Sequence, residues 1–444
     1  MDGNILARAL ARASFTRALA GDVFVRKMLD FERALAESEG EAGVIPFEAA
    51  RVIADACLTM EPSAEALAAD GKLSGSLAVP FVKALKEHVK KRDKQAAPFV
   101  HYGSTSQDVL DTALLLCLEP CLEETDRVLD ASVTRLAGHA RRHAGVVMLG
   151  RTLMQPATPI TAGLKIARWA KAIHRSRARL RVAGERALSI QLGGAVGALD
   201  ALGAKRAAVR RGVAQRLGLA DASSWHGQRD ELLRLMSELA IITVTIGKIA
   251  RDVALLSQPE IGEMLESAPT KGVGGSSAMP HKRNPVACLL AVAAATRAPG
   301  LMTTLLSGAL AEHERALGSW QAELATIPEL LEAVGSALDG LERIADGLVV
   351  NPERMMANLE SLQGLVFSER LARVLTRSMD RESALALVDD WCEVAVTTRR
   401  HLRDVAIADR PALASQLDEA FSLEAIVAEL RPAFDEELAG LAEA

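Results

Sequence analysis

The segment Lys271-Gly272-Val273-Gly274-Gly275-Ser276-Ser277-Ala278-Met279-Pro280-His281-Lys282-Arg283-Asn284-Pro285 gathers the groups that move protons and hold carboxylates. Three glycines, at positions 272, 274 and 275, give a permissive backbone able to close over a ligand. Two hydroxyls follow, then a primary amine and a carboxamide near a predicted helix start. Cationic and amide donors there can hold a carboxylate and stabilise the charge growing on it. In isolation the same stretch also suits a flexible loop with a polar end.

Other chemistries find no support. No GxxxxGK[ST] loop occurs. Gly193-Gly194-Ala195-Val196-Gly197 follows no strand and lacks dinucleotide spacing, so it reads as a tight turn between helices. His313-Glu314 begins like HExxH, but Leu317 stands where the second His must be. No metal and no cofactor are expected. The five cysteines, Cys57, Cys117, Cys121, Cys288 and Cys392, form no CxxC pair and are odd in number, which disfavours a disulfide framework. A net charge of −5 with scattered Lys and Arg excludes nucleic acid as the expected partner. The first residues lack a continuous apolar h-region, and no stretch approaches the length of about 18 uninterrupted apolar residues that suits a membrane span. The sequence-based expectation is a cytoplasmic protein with no membrane partner.

The elements that position these groups are helical. Ala and Leu abound and β-branched runs are scarce. Leu232, Leu235, Leu239, Ile242, Ile246, Ile249, Val253 and Leu256 alternate steps of three and four, the seam of a long bundle helix that Pro259 would stop. A second seam, Leu115, Leu118, Leu122, Thr125, Leu129, Ser132 and Leu136, is interrupted by Pro120, where a kink or restart is expected. A third, Ile166, Trp169, Ile173 and Leu180, sits in a basic helix. The predicted fold is all-α, with an N-terminal helical domain at 1–104, a long-helix bundle at 105–350 and a C-terminal helical domain at 351–444. Seams this long predict that the bundle packs against other subunits in a multi-helix tetramer core.

Gly275 to Asn284 fits the pattern GSSxMPxKxN throughout and so resembles the fumarase/aspartase superfamily, whose members include argininosuccinate and adenylosuccinate lyases. The resemblance implies Ser276 as catalytic acid/base, with Lys282 assisting and Ser277 and Asn284 contacting substrate. His101-Tyr102-Gly103-Ser104-Thr105-Ser106-Gln107-Asp108 is similar to the family's first block, and implies Thr105 and Ser106 as carboxylate contacts. Gly150-Arg151-Thr152-Leu153-Met154-Gln155-Pro156-Ala157 is similar to the second, adding Thr152 and Gln155. Gln228-Arg229-Asp230 and Glu314-Arg315 have counterparts too, which adds Arg229 and Arg315 as substrate-binding candidates. The family further implies a homotetramer in which three subunits build each active site around a small polycarboxylate.

SSAMPHKRNP is very close to the adenylosuccinate lyase signature, yet three departures point elsewhere. Leu153 replaces the histidine of the lyases' second block; 72–80 lacks their Arg-His-Asp; and Trp320 to Leu324 replace their Ser-Ser-Ala-Glu-Arg. A poor leaving group needs a general acid, whereas a carboxylate, with pKa near ~4, leaves without one. This matches the cycloisomerase branch, which closes 3-carboxy-cis,cis-muconate to a lactone. Met28 to Leu35 and Ser76 to Leu85 look like that branch as well. The alternatives are an adenylosuccinate-lyase-like dicarboxylate lyase and a catalytically silent structural tetramer.

Overall fold

The computed structural model describes residues 9–267, 274, 275, 278, 279 and 281–441. In chain order the helices are α1 (Ala13–Ala18), α2 (Gly21–Glu41), α3 (Phe47–Thr59), α4 (Ala64–Ser74), α5 (Ala78–Lys90), α6 (Ser106–Arg142), α7 (Ala162–Ala187), α8 (Arg206–Leu217) and α9 (Asp230–Leu256). There follow α10 (Val286–Gly308), α11 (Ser319–Gly347), α12 (Pro352–Glu360), α13 (Ser368–Leu375), α14 (Arg381–Thr398), α15 (Leu402–Asp409), α16 (Ala414–Phe421) and α17 (Leu423–Leu438). The all-α expectation holds. Four short strands that the sequence did not announce form two antiparallel pairs, β1 (Val147–Thr152) with β2 (Gln155–Thr161), and β3 (Met264–Glu266) with β4 (Leu348–Val350).

Contacts group the chain into two units. The first comprises 1–128, 176–244 and 293–339. Its core joins α2, α3, α5, the start of α6 and α8 through Phe31, Ile53, Phe81, Leu85, Val109 and Val213, with Trp320 at its border. Local chemistry sets the ends of its short helices. The Ser63 hydroxyl accepts from the Ala66 N–H at 3.3 Å to start α4, and Gly75, at φ 66°, ends it. The second unit comprises 129–175, 245–292 and 340–444. It holds one cluster around Leu371, Leu375, Trp391, Leu402 and Leu417, and another where Val147 and Leu149 of β1 meet Leu359, Phe367 and Ile426.

Two expectations about the long helices change. Pro120 lies inside the 37-residue α6, which continues through it rather than restarting there. Leu115, Leu118, Leu129 and Leu136 are fully buried along that helix, and their packing outweighs the one backbone hydrogen bond that proline removes. The α9 seam was expected to face other subunits. Instead Leu235, Leu239, Ile242, Ile246 and Val253 are all 0% exposed within the single chain. The apolar side chains that α9 presents outward are Ile241 and Val244, 46% and 45% exposed. α10 has the length and mean hydropathy, 1.5, that would suffice to cross a membrane, and Leu289 and Leu306 are exposed on it.

Candidate active site

In the first unit, the block at 101–108 is a turn that launches α6. Thr105-Ser106-Gln107-Asp108 has capping-box spacing, and Asp108 reaches back to accept the Thr105 N–H at 3.0 Å and the Ser104 hydroxyl at 3.3 Å. The Asp108 N–H goes to the Thr105 carbonyl, also at 3.0 Å, rather than to its hydroxyl. Thr105 and Ser106, both half-buried, thus present hydroxyls that helix capping does not consume. Asp108 is itself 0% exposed and also accepts the N–H groups of Gly193 and Gly194, each at 2.9 Å. The 193–197 glycine cluster is therefore a turn anchored on the first block. Gly194, at φ 69°, lies so close to the Gly103 carbonyl that a Cβ would come within 2.8 Å of it. Arg315 joins from the far side, donating to the carbonyls of Gly194 and Ala195 at 3.4 and 3.0 Å. Its Nε is buried with no partner among the described residues.

Arg229 is not placed to bind substrate. It is 6% exposed, donates to Asp111 at 2.6 and 3.2 Å and to both oxygens of Glu323, and stacks 4.4 Å from the Trp225 ring centre. Asp111 also accepts from Trp320 Nε1 at 2.9 Å and from Gln191 Nε2 at 3.3 Å. Burial opposes the charge on Arg229, but Asp111 and Glu323 more than reverse this and raise its pKa. For Glu323 burial prevails, and its carboxyl is pushed up despite Arg229. A guanidinium so enclosed fastens α6, α9 and α11 behind the first block. The sequence reading also missed Asp111, Glu323 and His226, whose Nε2 lies 2.7 Å from Asp108.

His101 of the same block is held by Glu32 at 2.5 Å. Burial works against a charge on this imidazole, yet the Glu32 carboxylate overcomes it and raises the pKa. Seven residues further along α2, Glu39 is 0% exposed with neither carboxylate oxygen partnered among the described residues, and burial followed by repulsion from Glu32 pushes its pKa up to about 9.

In the second unit, Thr152 and Gln155 pair across the tip of the β1–β2 hairpin. Between them Leu153 and Met154 adopt φ 50° and 65°, the left-handed region that a two-residue hairpin turn requires and that Asn or Gly usually fills. Leu153 is 96% exposed and Met154 71%. Arg151 ties the hairpin down with a bidentate pair to buried Glu263, at 2.6 and 2.8 Å, and Asn358 donates to the same carboxylate at 2.8 Å.

Of the glycine-rich segment, Lys271, Gly272, Val273, Ser276, Ser277 and Pro280 fall outside the described residues, and the rest lies on this unit. The described residues of the segment are tied to one another. The Asn284 N–H donates to the Gly274 carbonyl at 2.7 Å, Gly275 and Arg283 form a bridge, and the Lys282 N–H donates to the Met279 carbonyl at 3.0 Å. Gly274, at φ 74°, has no room for a Cβ, which would sit 2.5 Å from the Asn284 carbonyl. Lys282 is exposed and Asn284 half-buried. The helix start beside these two donors is already occupied. Glu266 accepts the N–H groups of Ala287 and Cys288, each at 3.0 Å, so the first turn of α10 is capped from within the chain. Segment 263–266 thus serves both blocks, with Glu263 on Arg151 and Glu266 on α10.

The site candidates therefore fall in two groups. Thr105, Ser106, Arg229 and Arg315 belong to the first unit, and Thr152, Gln155, Lys282 and Asn284 to the second.

A lyase family model matches residues 10–300. A 3-carboxy-cis,cis-muconate cycloisomerase of Bradyrhizobium diazoefficiens is 40% identical over 96% of this chain and 94% of its own. One of Pseudomonas aeruginosa is 45% identical over 85% and 82%. The crystal structure of the 3-carboxy-cis,cis-muconate lactonizing enzyme from Pseudomonas putida covers 98% of both chains with TM-score 0.90 and 36% identity. The chain belongs to the lyase family of the fumarase/aspartase superfamily, alongside the 3-carboxy-cis,cis-muconate cycloisomerases.

Proposed function

We propose that this enzyme converts 3-carboxy-cis,cis-muconate, or a close analogue such as the 3-sulfo compound, to the corresponding muconolactone. One substrate carboxylate adds to the carbon bearing the 3-carboxylate, and a proton goes to the adjacent carbon, α to another carboxylate. The reaction is an isomerisation, so atoms balance without a co-substrate. Ser276 is the proposed donor, with Lys282 stabilising the carboxylate on which carbanion charge develops. Asn284, Ser277, the hydroxyls of Thr105, Ser106 and Thr152, the amide of Gln155 and the free edge of Arg315 hold the three carboxylates. Arg229 positions the first block from behind.

The observation that carries this reading is the second-block hairpin, where Leu153 and Met154 occupy the tip between Thr152 and Gln155. A site that expels an amine or hydroxide needs an acid there; one that opens and closes a carboxylate ester does not. Placing two apolar side chains in left-handed conformations costs about 1–3 kcal/mol each. Among the described residues no burial of Leu153 offsets that cost, which supports delivery of the tip into a site on another copy. We therefore keep the homotetramer with shared sites, and the division at 1–104, 105–350 and 351–444, as part of the proposal. All five thiols are free and four are buried, which suits the cytoplasm. The test is the fate of the substrate's conjugated diene, measured beside adenylosuccinate cleavage.

A further inference from the structure

The Asp108 carboxylate is over-supplied with donors. Gly193 N–H and His226 Nε2 meet Oδ1 at 2.9 and 2.7 Å, while Gly194 N–H, Thr105 N–H and the Ser104 hydroxyl meet Oδ2 at 2.9, 3.0 and 3.3 Å. Backbone amides can only donate, so Asp108 is the acceptor throughout and the His226 proton sits on Nε2. The other ring nitrogen, Nδ1, is buried and has no partner among the described residues. His226 itself is only 5% exposed. Its backbone is fixed by Gln107 Nε2, which donates to the His226 carbonyl at 3.1 Å. Its neighbour Trp225 is fixed by bonds to Gln191 Oε1 and the Ile190 carbonyl at 3.0 and 3.1 Å. The ring also packs on the glycine turn, where a Cβ on Gly193 would come within 2.8 Å of His226 Cε1.

We infer that His226 is a positioning residue of the reaction: through Asp108 it sets the orientation of the turn that carries Thr105 and Ser106 and of the Gly194 loop that Arg315 grips. The 193–194 turn spans both Asp108 oxygens, the 104–105 turn holds Oδ2 and His226 holds Oδ1, so the carboxylate must hold one rotation about its Cβ–Cγ bond. Four of its donors belong to the two loops being joined and would turn with them. His226 comes from a third segment, held on α6 by Gln107 and by Gln191, which Thr112 and Asp111 of α6 fix in turn. Without it the loops can shift together, and the substrate-holding groups they carry meet the carboxylates out of place, which weakens substrate binding first. This assignment rests on the lactonising reading for its kinetic test, and on hydrogen bonding alone for its spectroscopic one.

The experiment compares His226→Gln, His226→Asn and His226→Leu with wild type. Glutamine places an amide N–H near the position of Nε2, whereas asparagine places it near Nδ1, short of Asp108. The expected result is a KM raised about tenfold or more in His226→Leu and His226→Asn, with kcat falling less and the unfolding midpoint little changed. His226→Gln should recover to within about threefold of wild type. Should the leucine variant not fold, the glutamine–asparagine contrast decides. Glutamine and asparagine variants equally impaired, or both unimpaired, would overturn the assignment. So would a loss of kcat at constant KM in His226→Gln, because the ring would then be transferring the proton. Imidazole 15N NMR of the substrate-free protein should find the proton on Nε2. A proton on Nδ1 with Nε2 bare overturns the inference whatever the enzyme's substrate.

Discussion

At the scale of single residues, the site is built from buried charges that support rather than react. Arg229 shows why a motif alone misleads about role. Its sequence neighbourhood marks it as important, but only the arrangement of Asp111, Glu323 and Trp225 around it shows that its donors are spent on the protein. Glu39 is a second case, invisible in sequence because nothing near it in the chain signals burial. Its folded pKa of about 9 lies above the ordinary 4.5, so the folded state keeps a proton that the unfolded chain releases. Stability therefore declines as pH rises from about 4.5 towards 9, where the unfolded state binds fewer protons. Glu39→Gln should abolish this slope. The thermal midpoint of the variant should exceed that of wild type at pH 8 by more than at pH 5; a pH-independent difference would mean that Glu39 is ionised in the fold.

At the scale of elements, the long helices were legible because three- and four-residue steps persist over several turns, as along Leu232 to Leu256. What those seams face was not legible. Periodicity reports a buried stripe, and α9 buries its stripe within its own chain, leaving Ile241 and Val244 as the outward apolar pair. The β1–β2 hairpin escaped notice because its turn residues are Leu153 and Met154, where turn chemistry asks for Asn or Gly. His226 escaped because a histidine between Trp225 and Gly227 carries no spacing signal, although Thr105 to Asp108 could have been read as a capping box. The three motif blocks themselves were plain in the chain, being short and contiguous. The hairpin yields a direct test of the leaving-group argument. Leu153→Met, close to volume-conserving, should keep most lactonising activity. Leu153→His should not raise it and should not create adenylosuccinate cleavage, since Leu324 and residues 72–80 still lack that lyase's groups. An increase in either activity with histidine would show that the leaving group does call for an acid.

At the scale of the whole molecule, the exposed tip at Leu153 and the outward apolar residues of α9 and α10 are the surfaces on which the proposed tetramer would associate. Light scattering should return about four times 47.2 kDa. A fully active monomer would remove both the tetramer and the shared site. The reaction is tested most directly by following the ultraviolet absorbance of 3-carboxy-cis,cis-muconate with wild type and Ser276→Ala, beside adenylosuccinate. Wild type should bleach the diene as the lactone forms and leave adenylosuccinate intact, and Ser276→Ala should bleach it about two to four orders of magnitude more slowly. Cleavage of adenylosuccinate with the diene untouched would contradict the account.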